Sequence, residues 1–542
     1  MKRIICLLTV LITVLATCTS CSSSRGANKG IIYPIDSSPS TLDPQYSNEE
    51  AAQIAVCNIF EGLVRHNKKG EIIPGIATEW EVSSDGLVYR FKLKTDTEWY
   101  CLSSMKKKYG DKFYEKFCSE KVTAYDFEFA CKRVIDPQTA SPLANRMMIL
   151  KNASDIHAGK ADLSTLGVKA KSADTLEFRL AGTCEDFLDR LTESEFMPCN
   201  EEFFNMTGGR YGLGAVYLLC NGPFYLSYWD PDNGLTLKKN KYYSGSQQVI
   251  PSSVTLSIDN DPDSVSKKLG NGSVSAALLS PLSAVPEKCS VIKEIDNSVF
   301  GFIFNCSDSV LANESIRKAI CMTVDKSIFK PVNEEMKVAY GLVPDSCLAG
   351  SETYRNKIGS RTPALKYDEE RAKRFWDWGL TELAKSTVTI KIICPASVDT
   401  LVRQQMQIWQ KLFGLECAVS VSNVSEAGID AAVSSGDFQI ALGYISADRQ
   451  NASDFLAKFK DKGTFRLSSD YYSNIVDNTL KACNDDDMIT GCLTAEDFII
   501  SKAIFYPLYQ QSSKFVLGED VEGISILRSE ATVSFINARR YD

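Results

Sequence analysis

Asp448 stands where an apolar run ends. FQIALGY (438–444) passes into ISADRQNASDFL (445–456), so a carboxylate appears at the mouth of what reads as a buried strand. Three chemistries could use it there: a turn hydrogen bond, acid–base or nucleophilic catalysis, or a fixed charge held for a ligand. Catalysis needs partners, and few are offered. The chain has two histidines, His66 in VRHNKKGE and His157 in ASDIHAGK. Both sit in polar surroundings without an immediately adjacent acidic or cysteine residue, and both read as solvated surface. That poverty argues against zinc chemistry and His-based triads together. GGRYGLG (208–214) follows no strand and precedes no lysine at phosphate-loop spacing, so it reads as a plain loop. DPDNG (230–234) opens like a calcium loop but lacks the later ligands and fits a hairpin turn better. The acidic runs DNDPDS and CNDDDM read as solvated loops. Nothing in these patterns calls for a metal or an organic cofactor.

The first residues form a targeting segment rather than part of the fold. Lys2 and Arg3 precede an apolar stretch, Ile4 to Ala16, shorter than the ~18–20 residues that span a bilayer. LATCTSCSSSRGANKG follows, with a small residue before each of Cys18 and Cys21. It looks like a bacterial lipoprotein signal, in which the cysteine is freed by cleavage and lipid-modified. Leu15 favours Cys18; Ser20 favours Cys21, the preferred reading. An ordinary secretory signal is the alternative. Residues 1–21 are thus signal and anchor, and 22–29 a flexible tether. No later apolar run is long enough to span a membrane, so the membrane is a partner through the lipid alone.

Eighteen cysteines are many. In an exported protein they suggest disulfides, but past residue 21 they show no CxxC pair and no metal-ligand spacing. Cys131, Cys321, Cys394 and Cys417 sit in apolar patterns, where cysteine is a small core residue. Few disulfides are expected; Cys101–Cys118 and Cys483–Cys492 are the plausible local pairs.

The elements that must position these groups follow from patterning. At 542 residues the chain is too long for one core, and domains of ~100–200 residues imply about three. The composition, 44% hydrophobic and 24% charged, is globular. A net charge of −8 argues against nucleic acid as a partner, which demands basic surface. EWEVSSDGLVYRFKLK reads as a hairpin about Asp85-Gly86. The lysine-rich CLSSMKKKYGDKFYEKFCSE (101–120) reads as a helical surface insertion that either docks a partner or is simply solvated. TAYDFEFACKRVIDP reads as a helix capped at Thr123, with Asp126 three residues on and Pro137 beyond its end. DTLEFRL and LTLKKN read as strands. From 388 the grammar changes. VTIKIIC, LECAVSV and FQIALGYI are strands, alternating with helices LVRQQMQIWQKLFG (stripe Val402, Met406, Trp409, Phe413) and EAGIDAAVSSG. Strand and helix in alternation predict an α/β lobe, with ligands beyond the carboxyl ends of the strands, where Asp448 lies.

Several segments in order carry a resemblance: STLDPQYSNEEAAQIAVCNIFEGLV, PGIATEWEVSSDGLVYRFKLK, VTAYDFEFACKRVIDPQTASP, NGPFYL, LKKNKYYSG, SIRKAICMTVDK, YDEERAKRF, ADRQNASDFL and FYPLYQ. Together they resemble extracellular solute-binding protein family 5, the oligopeptide- and dipeptide-binding receptors of bacterial ABC importers. The resemblance covers nearly the whole chain after residue 30. It implies an α/β, periplasmic-binding-protein-like, two-lobed fold of the cluster C type with three domains. The first would be discontinuous (30–61, 190–298 and 509–542), the second would span 62–189, and the third 299–508. It implies capture of short peptides between the lobes, delivery to membrane-embedded permease subunits, a monomer and no enzymatic activity.

The resemblance also implies roles. Asp448 takes the place of the aspartate that pairs with a peptide's α-amine, a plain turn aspartate being the alternative. Asn48, Glu49 and Glu50 fall where family members offer mostly backbone contacts along an extended peptide, although Glu50 reads equally as a solvated loop residue. Tyr444, Asn221 and Arg146 are weaker candidates, each with a structural alternative. There are departures. Arg449 stands where an aromatic residue is usual and could neutralise Asp448 or meet a ligand carboxylate. Ile445 stands where tryptophan is frequent, and Ala452 where proline is. These keep open a rival solute such as a sugar, an opine or a metal chelate; an exported hydrolase is more distant.

Overall fold

Alternation of apolar and polar residues builds the first sheets. Ala77–Val82 and Val88–Leu93 pair antiparallel across the Asp85-Gly86 turn, where Gly86 takes φ +69°. Tyr89, Phe91 and Leu93 are buried while Arg90 and Lys92 face out. Thr175–Arg179 and Val168–Ser172 complete this sheet. Helix Ala124–Ile135 packs beside it, started by a reciprocal bond between Thr123 and Asp126. A second sheet runs Ile31–Ile35, Ser253–Ile258, Gly234–Lys239, Phe224–Asp230; its first pair is parallel. One continuous apolar core, including Phe91, Phe178, Leu237, Val254 and Phe535, joins both sheets into a first lobe. The computed structural model describes residues 30–541 other than 185, 246, 282, 330–336, 351, 360–364, 448–449, 461–464, 483 and 527–532. Cys18, Cys21, Asp448 and Arg449 lie outside the described residues.

The 101–120 segment is more than a surface insertion. It forms two helices, Ser103–Tyr109 and Asp111–Phe117, broken at Gly110. Its lysines are exposed, but Met105, Phe113 and Phe117 recur at helical spacing and are buried, the two phenylalanines against Phe203. Among the described residues Cys101 and Cys118 are not joined. Cys101, Cys118 and Cys492 are free thiols, and Cys483 lies outside the described residues.

The second lobe is built on parallel strands. Val388–Cys394 lies between Cys417–Asn423 and Ile440–Ser446, parallel to both. Helix Asp399–Phe413 covers one face with Val402, Gln405, Trp409 and Phe413 buried. Gln405 takes the inward place expected of Met406. Its amide donates to Thr323 O at 2.8 Å and accepts from Asp325 N at 3.0 Å, so its burial leaves no polar atom stranded. Trp376 stacks on Phe413 at 4.2 Å between ring centroids. Helix Glu426–Ser435 contributes Ile429 and Val433 to a separate core on the other face.

Two long antiparallel strands cross between the lobes: Ser290–Phe304, 15 residues, and Phe505–Leu517, 13 residues. At one end Phe505–Leu517 pairs with Ala276–Leu279 and enters the first core; at the other, Ser290–Phe304 pairs with Ile440–Ser446. Their register shifts between Ile295 and Ser298 and again between Phe300 and Gly301. Such shifts bend and twist a strand pair, and they fall on the crossing itself.

Candidate functional site

The carboxyl ends of the second lobe's parallel strands face the first lobe. Beyond Ser446, Ala447 N donates to Asn297 O at 2.8 Å. Residues 448–449 lie outside the described residues. The chain is pinned again at Gln450, whose carbonyl accepts from Leu348 N at 2.8 Å. Asn451 then caps helix Ala452–Ala457, accepting from Ser453 N and Asp454 N at 2.9 and 3.1 Å. Asp454 is therefore a first-turn residue, as its position before FLAKF implies.

A cavity of about 120 Å³ opens beside this connection and is walled by both lobes. The first lobe brings His66, Arg146, Asp186, Asp189 and Arg190; the second brings Gln450, Asn451 and Asp454. Arg146 Nη2 lies 3.9 Å from Asp454 Oδ2, and Arg146 Nη1 is buried without a hydrogen-bond partner among the described residues. Arg190 donates to Asp186 at 3.0 Å. His66 corrects the sequence reading. It is 8% exposed, not solvated, and its Nε2 lies 2.8 Å from Asp189 Oδ1. The partner is 123 residues away, so no local pattern announced it. His157 is half-buried, with Nδ1 3.2 Å from Ile135 O.

The other candidates separate by environment. Asn48 is exposed, and Glu49 accepts from Ser40 N at 2.7 Å; both precede helix Glu50–Ile59, whose first residue is the half-buried Glu50. Asn221 is 2% exposed and spends its whole amide on one residue, donating to Glu61 O at 2.9 Å and accepting from Glu61 N at 3.1 Å. That commits it to holding the chain after the helix. Tyr444 pairs in register with Phe300 and is half-buried. Its hydroxyl reaches the Ser280–Glu426 contact, and burial, with the Glu426 charge, raises its pKa.

Two polar clusters escaped the sequence reading. Ser280 of the first lobe donates to Glu426 of the second at 2.8 Å, beside Asp263 and Asp430. Partial burial raises the pKa of the half-buried Glu426; Asp430 is exposed but crowded by protein, and that crowding, with the Asp36 charge, pushes its pKa the same way. At the crossing strands, Gln511 is 5% exposed with both amide atoms unpaired among the described residues; Asn297 Nδ2 and Gln510 Oε1 are likewise unpaired. Each such group costs about 1–3 kcal/mol unless something satisfies it. The signal was legible: QQSSK (510–514) is a polar run inside an otherwise apolar strand.

A family model, "Bacterial extracellular solute-binding proteins, family 5 Middle", matches residues 71–466. The oligopeptide-binding protein OppA of Bacillus subtilis is 26% identical over 525 residues, 93% of this chain and 91% of that one. A dipeptide-binding protein of Lactococcus lactis is 24% identical, covering 93% of each chain. Among solved structures, Listeria monocytogenes OppA bound to peptide superposes with a TM-score of 0.71 at 24% identity, covering 95% of this chain and 99% of that one.

Proposed function

The chain belongs to the bacterial extracellular solute-binding proteins, family 5, and from that membership we propose that it captures short peptides between its lobes and hands them to the permease of an ABC importer. It binds and does not catalyse. The observation that carries the reading is the charged, two-sided wall beside the end of strand Ile440–Ser446, with the chain pinned on either side of residues 448–449.

In this reading Asp448 accepts the peptide's α-ammonium as a charge-assisted bond in a site from which water is expelled. Arg449 either meets a ligand carboxylate or turns back on Asp448. Arg146, with one buried nitrogen free of partners among the described residues, takes a carboxylate or carbonyl from the first-lobe side. Asn48, Glu49 and Glu50 lie along the extended peptide, and Tyr444 supports the lobe contact rather than the ligand. The three domains are 30–61 with 190–298 and 509–542, then 62–189, then 299–508. The crossing strands are the hinge, and ligand favours closure by its higher affinity for the closed form. Cys21, or Cys18, carries the lipid that holds the monomeric receptor outside the membrane, within reach of its importer.

Native mass spectrometry of the purified protein tests the proposal. A heterogeneous set of short peptides is expected; one non-peptide solute of a single mass overturns it.

A further inference from the structure

We propose that Cys101 and Cys118 are a redox-sensitive pair whose disulfide staples the two-helix insertion at its base. The two flank helices Ser103–Tyr109 and Asp111–Phe117. Below them the chain closes on itself as an antiparallel clasp. Glu98 bridges to Lys121, Trp99 N donates to Glu120 O at 3.0 Å, and Val122 N donates to Thr97 O at 2.9 Å. One step forward on one arm matches one step back on the other. The ladder ends there, and Cys101 and Cys118 each stand two residues past the Trp99–Glu120 bond, one on either arm. Their thiols lie close enough to act on each other electrostatically, and Tyr114 stands beside Cys118. An ion pair between Lys121 and Glu98 at 2.6 Å holds the clasp in this register.

The environment orders the chemistry. Cys101 is 6% exposed, and burial raises its thiol pKa well above the ordinary value. Cys118 is half-buried and reaches solvent. Oxidation therefore starts at Cys118. Its thiolate attacks one sulfur of a small-molecule disulfide and releases one small thiolate. Cys101 then attacks Cys118 Sγ in the mixed disulfide and releases the second. The cysteine pair is oxidised by two electrons and the small disulfide is reduced to two thiols, which take up the two protons the cysteines lose. Cys220, whose backbone pairs with Tyr100, lies near enough to influence Cys101 and is the competing partner. A staple here would confine the helices that press Met105, Phe113 and Phe117 into the first core.

The test uses the full chain, reduced and then exposed to oxidised glutathione. Remaining thiols are alkylated under denaturing conditions and mapped by mass spectrometry. Alkylation of Cys101 and Cys118 should fall together by about tenfold or more, with a linked peptide lighter by two hydrogens, and dithiothreitol should restore both. Cys220→Ser should leave the link intact, and Cys118→Ser should leave Cys101 alkylated. Unchanged alkylation of both residues after oxidation, or a link from Cys101 to Cys220 in the wild type, overturns the proposal.

Discussion

Ser280 Oγ donates a hydrogen bond to Glu426 Oε2 at 2.8 Å, and this bond joins the two lobes. It places Glu426 among Asp263, Asp430 and Tyr444, with Asp36 acting on Asp430 from the first lobe. Glu426, half-buried at this contact, has given up water, which disfavours its charged form.

The first prediction concerns pH. Glu426, bonded to Ser280 across the lobes, holds its proton more tightly there because burial raises its pKa, and the pKa of the exposed Asp430 beside it is raised as well. Their contribution to lobe contact is fully present below ordinary carboxylate pKa values and is lost as pH rises through the raised ones. The ligand-free chain should therefore expand as pH is raised across that window, read as radius of gyration by small-angle scattering. The double variant Glu426→Gln, Asp430→Asn should flatten the response; an unchanged slope would assign it elsewhere.

Arg146 and Asp454 make a loose pair at 3.9 Å with side chains 23% exposed, a geometry worth at most about 1 kcal/mol to stability. Arg146→Ala should barely move the melting temperature. If Arg146 meets the ligand, the same variant should weaken peptide binding by about 2–5 kcal/mol, measured by titration calorimetry. Loss of stability without loss of affinity would make the residue structural.

Asp448→Asn tests the amine site. Peptides with free amino termini should lose about 2–5 kcal/mol of binding energy, because a desolvated ammonium keeps no charged partner. N-acetylated peptides should lose much less. Equal losses for both classes would remove Asp448 from that role.

Asp126 gives a stability prediction away from the cleft. Burial raises its pKa from 3.8 to about 7, against the hydrogen bonds from Thr123 that favour the charged form. The folded chain thus binds a proton that the unfolded chain has released. That stability is full below about pH 4 and is lost as pH rises through about 7. Urea midpoints should fall across this range in the wild type and fall less in Asp126→Asn.

Trp376→Ala should cost about 3–5 kcal/mol, since it empties a fully buried site stacked on Phe413. Its core is separate from that of the first lobe. Calorimetry should show a transition of the second lobe moving down while that of the first stays in place.

Local pattern alone determined a great deal. The Asp85-Gly86 hairpin, the Thr123–Asp126 cap, the turn at 230–234 and the strand–helix alternation after 388 all stand where the residues put them. Each depends on neighbours within a few positions, so periodicity and turn chemistry suffice to read them. The polar run at 510–514 was equally visible, but its meaning was not: unpaired amides are costly only once burial is known.

What tertiary structure decided was partnership across distance. His66 lies in a polar stretch, yet Asp189, 123 residues on, makes it a buried and bonded side chain. Asn221 looked available to a ligand until Glu61, 160 residues away, used both ends of its amide. Met406 lost its inward place to Gln405 because the backbone at Thr323 and Asp325 offered that amide both a donor and an acceptor. Ser280 and Glu426, which no motif singles out, became the junction between lobes. A side chain's type sets which bonds it can make. Only the folded chain sets which groups lose water and which partners arrive, and those two terms decide whether a polar residue serves the surface, the core or the cleft.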